Sequence, residues 1–418
     1  MRVGLYVKAE ISRVGGGVTF ERQLVADLLN RAKHSDHEFI VFSPDKSPKL
    51  MSGEPILGAV RIKWLPLVRA FGGAKDVINR LFAKLLLLPH PFSHEGWLDR
   101  TLFRHNIEFF VNLTPSTLAN EVPYLTCVWD LQHRLQPFFP EVSSCGRWAR
   151  TESIYATILR RAACVVVLGP QGNKEVREFY GVPDERIRIL TLPTPRFALE
   201  AANTPRASVP EKYCLQPGYF FYPAQFWPHK NHVAILWALK IIREKYSYSP
   251  VVAFVGSDGG NLDHVLSLAR SLKVESQVRI LGFVPEADLA ALYQNALALV
   301  FPSMFGPENF PPLEAFALGC PVIASSVPGS ESQFSDAALL FDPCDYAALA
   351  EAMNRIHESS ELRSELVRKG NIRAAAYTGD DFARDILAIL DHFVARRSCW
   401  PSDRRSSPGF SWKKLFHG

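Results

Sequence analysis

One stretch of the chain combines strand, loop and helix signals, and it reads Phe301-Pro302-Ser303-Met304-Phe305-Gly306-Pro307-Glu308-Asn309-Phe310-Pro311-Pro312-Leu313-Glu314-Ala315, closing into Ala317-Leu318-Gly319-Cys320-Pro321-Val322-Ile323. The pattern predicts a buried strand, a Gly/Pro loop, a helix start and a second strand entered through a Gly-x-Pro turn. Glu308, Asn309 and Glu314 fall beside the helix N-terminus, which favours negative charge and presents backbone N–H groups. Because carboxylates accept hydrogen bonds from hydroxyl groups and N–H groups donate to phosphate, this loop suits a polyhydroxylated, phosphate-bearing ligand.

The same strand-then-helix alternation runs through the whole chain and predicts an α/β fold with doubly wound parallel sheets. In the first half, strands are expected over residues 2–7, 38–42, 109–113, 124–129 and 165–168, with a helix over 147–161. In the second half, strands are expected over 219–223, 251–255, 278–281, 298–301, 321–324 and 338–341. Helices are expected there over 233–243, 261–272, 286–295 and 313–318, and residues 345–395 are expected to be mainly helical.

The chain has 418 residues, which is too long for one core and predicts two domains. A proline-rich change of composition over residues 191–217 predicts the linker between them. We therefore expect a first Rossmann-like domain over 1–205 and a second over 206–375. Residues 376–395, after the second domain, are expected to be helical. A basic, disordered tail is expected over 396–418.

Composition indicates an ordinary soluble protein, with 47% hydrophobic and 21% charged residues. The first residues predict a strand rather than a signal peptide, and no apolar run reaches transmembrane length. The seven scattered cysteines fit reduced thiols in a cytoplasm, and no Cys/His spacing resembles a metal site. The net charge of +5 resides entirely past Ala395, which argues against a nucleic-acid groove on the folded domains.

Two segments resemble phosphate-binding elements. Lys230 stands where the first strand of the second half turns into a helix, so its ammonium could reach a diphosphate, although a lone lysine there is ordinarily a solvated surface residue. Gly15-Gly16-Gly17 lies between the first strand and the first helix, where bare backbone can approach phosphate. A triple glycine is also a common flexible turn.

Two parallel sheets joined by one linker would form a cleft between the domains. Asp130 and His133 follow a strand in the first half and are expected at the mouth of that cleft. They could bind sugar hydroxyls or help to deprotonate an acceptor. A structural pair that caps the following loop explains them equally well.

These motifs together resemble the retaining family 4 glycosyltransferases of the GT-B fold, whose signature is a Glu, seven residues and a second Glu. The second Glu falls on Glu314, whereas the first falls on Gly306, so Glu308 or Asn309 would fill its role. The family's Lys matches Lys230, and its usual Arg falls on Gln225. The form from Phe305 to Glu314 resembles a bacterial subgroup that builds polysaccharide or lipopolysaccharide chains, often with mannose-like donors such as GDP-mannose.

The resemblance implies two Rossmann-like domains that face a cleft, with a helix over 376–395 that crosses back to the first domain. It also implies metal-independent transfer of a hexose from a nucleotide diphosphate sugar to a glycan or lipid-linked acceptor. It assigns catalysis to Lys230, Glu308, Asp130 and His133. It assigns donor binding to Gly16, Gly17, Gln225, Lys230, Val284, Asn309, Phe310, Leu313 and Glu314.

Two other classes stay open: a sugar-nucleotide 2-epimerase of the same fold and a non-catalytic nucleotide-sugar-binding protein.

A cytoplasmic location with peripheral contact to an anionic membrane is suggested by two segments. The first is an amphipathic pattern over residues 80–88, which ordinary core packing also explains. The second is the basic and aromatic tail.

Overall fold

The computed structural model describes residues 1–7, 16–44, 56, 59–61, 94–115, 121–205, 208–209, 211–306 and 308–401. Gly15, the amphipathic pattern over 80–88 and the tail from residue 402 lie outside these ranges. Within the described ranges, strands and helices alternate in two groups, each built on its own parallel sheet. The predicted α/β class with two Rossmann-like parallel sheets is confirmed.

The first sheet is seven-stranded, with the order β3-β2-β1-β4-β5-β6-β7, and all its pairings are parallel. Its strands are β1 (Arg2–Tyr6), β2 (Glu38–Ser43), β3 (Val60–Arg61), β4 (Phe109–Asn112), β5 (Tyr124–Val128), β6 (Cys164–Leu168) and β7 (Ile187–Leu190). The helices that accompany it are α1 (Gly16–Ala32), α2 (His94–Arg104), α3 (Gln132–Leu135), α4 (Pro140–Ser143), α5 (Arg147–Arg161) and α6 (Gly169–Tyr180). We call these elements the first lobe.

The second sheet is six-stranded, with the order β10-β9-β8-β11-β12-β13, and it is also parallel throughout. Its strands are β8 (Phe220–Pro223), β9 (Val252–Val255), β10 (Val278–Ile280), β11 (Ala298–Phe301), β12 (Val322–Ser325) and β13 (Ala338–Phe341). Its helices are α8 (His232–Tyr246), α9 (Leu262–Ser271), α10 (Glu286–Asn295), α11 (Phe310–Ala317), α12 (Ser330–Phe334), α13 (Tyr346–Glu358) and α14 (Ser360–Ala375). We call these elements the second lobe.

The strands read as continuous apolar runs because helices cover both faces of a parallel sheet. Phe220, Phe221 and Tyr222 on β8 are fully buried, as are Leu299 and Val300 on β11. This burial is the reason that strand prediction from apolar runs succeeded in the second lobe.

The predicted linker over 191–217 is not an extended segment. It contains helix α7 (Arg196–Ala202) and a 3₁₀ turn over Glu211–Tyr213. The Arg196 backbone N–H donates to Gln23 Oε1 on α1 at 3.1 Å, and its guanidinium pairs with Asp27. Helix α7 also packs on α10 and α11, so the connection contacts both lobes, which proline content alone did not reveal.

Helix α15 (Gly379–Arg397) follows the second lobe in the chain but packs on the first. Arg31 pairs with Asp380, His37 Nε2 lies 2.9 Å from an Asp391 oxygen, and the Phe109 and Phe393 rings meet edge to face at 4.7 Å. The domain boundaries expected at residues 205 and 375 stay predictions. No helix among the described residues is both long enough and apolar enough to span a bilayer.

Candidate functional site

The loops that follow the carboxyl ends of both sheets face each other across a cleft. In the first lobe these loops follow β5, β6 and β7, and in the second they follow β8 and β11. Three contacts join them: Gln136 Nε2 donates to the Met304 carbonyl at 2.8 Å, His229 contacts Glu141, and the Leu192 N–H donates to Glu308. Ligands of open α/β sheets bind at this edge, so the cleft is the candidate site.

Lys230 ends a 3₁₀ turn, Pro228–Lys230, directly after β8. Its carbonyl accepts a hydrogen bond from the Tyr222 hydroxyl at 2.7 Å, and its ammonium lies over the Phe301 ring, 5.3 Å from the centroid. Burial lowers the pKa of Lys230 to about 8, and the nearby carboxylates of Asp130 and Glu141 oppose this shift. The turn thus holds a desolvated cation at the cleft, between the two lobes.

Gln225, which stands where the resembling family has Arg, is fixed by two neighbours. Its Nε2 donates to Ser257 Oγ at 2.9 Å, and its Oε1 accepts from Trp227 Nε1 at 2.9 Å. The amide is therefore oriented by the loop after β9 and by its own loop. It supplies no charge, so Lys230 is the cation of this loop.

Gly306 and Asn309 share one small space in the loop after β11. Gly306 has φ +126°, and a Cβ added to it would lie 2.5 Å from Asn309 Oδ1. The Asn309 amide also donates to the Gly306 carbonyl at 2.9 Å, and its backbone N–H and carbonyl both bond the Gln333 side chain. The Asn309 amide therefore occupies the place where a side chain at position 306 would begin, which explains in steric terms why the motif's first Glu is missing.

Glu308 points toward the first lobe. Its Oε2 accepts the Leu192 N–H at 2.7 Å, and its Oε1 lies 3.2 Å from the Cβ position of Gly169, at the start of α6. Burial raises the pKa of Glu308 to about 7, and the hydrogen bond from the Leu192 N–H and the charge of Arg373 oppose the rise. This geometry ties Glu308 to the junction of the lobes and leaves Asn309 as the candidate to replace the missing Glu.

Glu314 lies on α11 and is held by a neighbouring helix. Its Oε2 accepts from the hydroxyl of Tyr293 on α10 at 2.6 Å. Burial raises the pKa of Glu314 to about 7, with a smaller rise from Glu286, while the Tyr293 hydrogen bond opposes it. A carboxylate held in this way is oriented before any ligand arrives.

Asp130 and His133 differ in burial and in hydrogen-bond partners. Asp130 is exposed after β5, and its Oδ1 accepts from the Gln132 N–H at 3.0 Å. His133 is 5% exposed, and its Nε2 contacts Glu152 at 3.2 Å and the Tyr180 hydroxyl at 2.9 Å. Burial lowers the pKa of His133. The geometry favours the structural explanation for His133 and leaves Asp130 at the cleft.

The remaining predicted donor residues lie on α1, after β10 and on α11, and the glycines differ from expectation. Gly16 and Gly17 form the first turn of α1 rather than a loop before it. Val284 is buried after β10, next to the exposed side chain of Phe283, and Phe310 and Leu313 lie on α11.

Sequence reasoning missed Glu141, His229, Gln136 and Tyr293. His229 is adjacent to Lys230, which was a usable signal, but a contact between residues 88 positions apart is invisible without the fold. Across the described ranges, no group of three or more His, Cys, Asp or Glu side chains could hold a metal ion.

Comparison with known proteins agrees with this architecture. Residues 211–373 match the family model of glycosyl transferases group 1. The chain is 26% identical over 248 residues to O-antigen chain mannosyltransferase B from Escherichia coli. The matched segment covers 58% of this chain and 64% of that protein. The matched segments span less than two thirds of the first curated relatives.

Solved structures with the same fold cover nearly the whole chain. Sucrose-phosphate synthase from Thermosynechococcus elongatus superposes with a TM-score of 0.66 at 18% identity, covering 94% of this chain and 99% of that one. Anabaena HepE in complex with UDP and glucose gives a TM-score of 0.62 at 13% identity, covering 93% and 99%. Both structural matches support the fold.

Proposed function

We propose that the chain transfers a hexose from a nucleotide diphosphate sugar to an acceptor hydroxyl, with retained configuration, on the ground that residues 211–373 match the family model of glycosyl transferases group 1. One observation carries the proposal. Strands β8 and β11 are neighbours, so their loops bring Lys230 and the segment from Met304 to Glu314 to the same edge of one sheet. The Met304 N–H donates to the His229 carbonyl at 2.8 Å, which joins the two loops directly.

Each loop has a role that follows from its chemistry. The Lys230 ammonium would stabilise the negative charge that develops on the departing diphosphate, so the reaction would need no metal ion. Glu314 would accept from the ribose hydroxyls, and Val284, Phe310 and Leu313 would shape the wall around the nucleotide. Asn309 would orient the sugar.

On the opposite side of the cleft, Asp130 would lie near the reacting carbon, and the Gly16-Gly17 end of α1 would face the phosphates with its N–H groups. Contact between the lobes would exclude water, which otherwise hydrolyses an activated donor.

We propose a mannose-like sugar carried on a guanosine diphosphate, and an O-antigen or lipopolysaccharide glycan as the acceptor. The named activity of the Escherichia coli relative supports the sugar and the acceptor class, and HepE with bound UDP and glucose supports a nucleotide sugar as donor. A cytoplasmic location at the inner membrane face would suit a lipid-linked acceptor. The basic tail past Ala395 would favour an anionic surface there.

One assay tests the proposal against its alternatives. Purified protein is incubated with a panel of nucleotide sugars, with and without crude lipid-linked acceptor, and nucleoside diphosphate release is measured. Release that depends on acceptor supports transfer. A new sugar nucleotide formed without release would instead identify an epimerase, and binding without either product would identify a sensor.

For Lys230→Ala we expect transfer to fall by about 100-fold or more, because a charge partner of the transition state is removed. The matched control is Lys240→Ala on α8, whose lysine lies over Trp237 and 4.0 Å from Glu244, and which should retain transfer within about twofold. Initial rates at saturating acceptor provide the comparison. Equal rates for both variants would remove Lys230 from the mechanism.

A further inference from the structure

The turn that carries Lys230 is held from both lobes. Within the second lobe, the Tyr222 hydroxyl donates to the Lys230 carbonyl, and the Met304 N–H donates to the His229 carbonyl. These bonds restrain the backbone on either side of the lysine. They involve the carbonyls of His229 and Lys230 only, so the His229 side chain and backbone N–H need other hydrogen-bond partners.

A carboxylate from the first lobe holds them. Glu141 lies on α4, and its Oε1 accepts both the His229 backbone N–H at 3.1 Å and the ring Nδ1 at 2.5 Å. The Phe139 ring meets the His229 ring edge to face at 6.2 Å, and Gln136 Nε2 reaches the Met304 carbonyl. Residues 136–141 therefore contact the second lobe at two places, His229, which is adjacent to Lys230, and Met304.

The charges in this contact indicate which groups are ionised. Burial and the nearby Lys230 ammonium lower the pKa of His229 to about 4, so the ring is neutral near pH 7 and donates through Nδ1. The Glu141 side chain is 7% exposed, and its Oε2 accepts no hydrogen bond from the described part of the chain. A buried carboxylate with one unpaired oxygen is costly unless a positive charge lies near it.

Lys230 is that charge. The attraction of the Glu141 carboxylate opposes the loss of the lysine's proton, as does that of Asp130. The first lobe thus contributes to the electrostatic environment of a cation that the second lobe carries. This contribution exists only while the two lobes are in contact.

We infer that Glu141 is a positioning residue, which acts through His229 to fix the turn of Lys230 when the lobes close. The inference rests on the proposed function, because Lys230 is assigned there to the departing diphosphate. Glu141 itself touches no substrate in this account. Its contribution is to make the correct placement of the lysine depend on closure of the cleft.

The kinetic consequence is specific. The proposed function assigns the base, the ribose and the Lys230 contact of the nucleotide to the second lobe and only the Gly16-Gly17 contact to the first, so loss of Glu141 should leave nucleoside diphosphate affinity within about threefold of the parent. The transfer step needs the lysine in place, so kcat should fall by about tenfold or more, with the donor KM changed less than threefold.

The first experiment compares Glu141→Ala with Glu141→Gln and with Glu178→Gln, an exposed glutamate on α6 that serves as control. We expect Glu141→Gln to recover kcat to within about threefold, because its Oε1 can accept the same two hydrogen bonds. Glu178→Gln should match the parent. A Gln variant as slow as the Ala variant would contradict positioning by hydrogen bonding, and unchanged kcat in the Ala variant would overturn the inference.

The second experiment measures closure without catalysis. Cys145 of the first lobe and Cys344 of the second are exposed, so spin labels can be attached there once the exposed Cys214 and Cys399 are replaced by Ser. Adding nucleoside diphosphate should narrow the distribution of distances between the labels in the parent and in Glu141→Gln, but not in Glu141→Ala. Thermal melting confirms that each variant is folded.

The two experiments keep the two proposals apart. If nucleotide narrows the distances in the parent but no donor gives acceptor-dependent release, the proposed transfer reaction fails while the role of Glu141 in closure stands. If transfer is observed and Glu141→Ala closes as the parent does, the role of Glu141 is wrong and the transfer reaction stands.

Discussion

At the scale of single residues, Gly306 and Asn309 show how the backbone conformation of a loop decides which side chain fills a given space. With φ +126°, residue 306 adopts a conformation that favours glycine, and the space beside it holds the Asn309 amide. A sequence pattern counts positions and therefore assigned the missing Glu to two candidates. The direction of each side chain depends on the path of the loop. The sequence therefore could not indicate that Glu308 faces Leu192 whereas the Asn309 amide lies beside Gly306.

For Gly306→Ala we expect a loss of about 1–3 kcal/mol in the free energy of unfolding, together with weaker donor binding, because the new Cβ displaces Asn309. Gly218→Ala is the matched control, since Gly218 has φ +98° but open space around its Cβ position. Its backbone strain is similar, but donor affinity should be unchanged. Denaturant unfolding and calorimetric titration with the intact nucleotide sugar measure both quantities, and equal donor affinity in the two alanine variants would contradict this role for Asn309.

Lys230 gives a prediction about pH. Because its pKa is lowered to about 8, the ammonium loses its proton as pH rises through that value, and nucleoside diphosphate affinity should then fall by up to about tenfold per pH unit. Lys230→Arg keeps its charge over the whole range, so this decline should disappear. Calorimetric titration between about pH 7 and pH 9.5 tests the expectation, and a parallel decline in both proteins would assign it to another group.

At the scale of elements, α15 is the informative case. The apolar pattern over residues 345–395 predicted helix, and the family resemblance implied that its last part crosses back to the first domain. The sequence did not give the partners, because Arg31, His37 and Phe109 are distant in the chain. The helix begins with a capping box in which Thr378 and Asp381 bond each other's backbone N–H groups.

Removing this cap with Thr378→Ala should lower the free energy of unfolding by about 1 kcal/mol. The comparison is Ser359→Ala, which removes the serine cap of α14 inside the second lobe. Both should lose similar stability by denaturant unfolding. Only Thr378→Ala should speed amide hydrogen exchange in α1, because α15 packs there, and equal exchange in both variants would show that the cap does not support this contact.

At the scale of the whole molecule, the sequence predicted two parallel sheets because buried parallel strands have strong apolar runs. The short edge strand β7 was missed, since only the two ends of Ile187–Leu190 are buried and its centre carries Arg188 and the exposed Ile189, so it lacks a continuous apolar run. The cleft was predicted from the topology, but its cross-lobe contacts were not. Glu141 and Glu308 reach in opposite directions across it; Glu141 belongs to no local pattern, and the motif that contains Glu308 does not indicate its contact with Leu192.

The position of α15 has a consequence for synthesis of the chain. Its residues 379–397 cover α1 and also reach β4, where Arg397 pairs with Glu108 just before that strand. The ribosome completes the first lobe at Leu190 and begins this helix only at Gly379, 189 residues later. The nascent first lobe must therefore emerge with part of its apolar surface uncovered, and chains released before α15 would present that surface to chaperones and proteases.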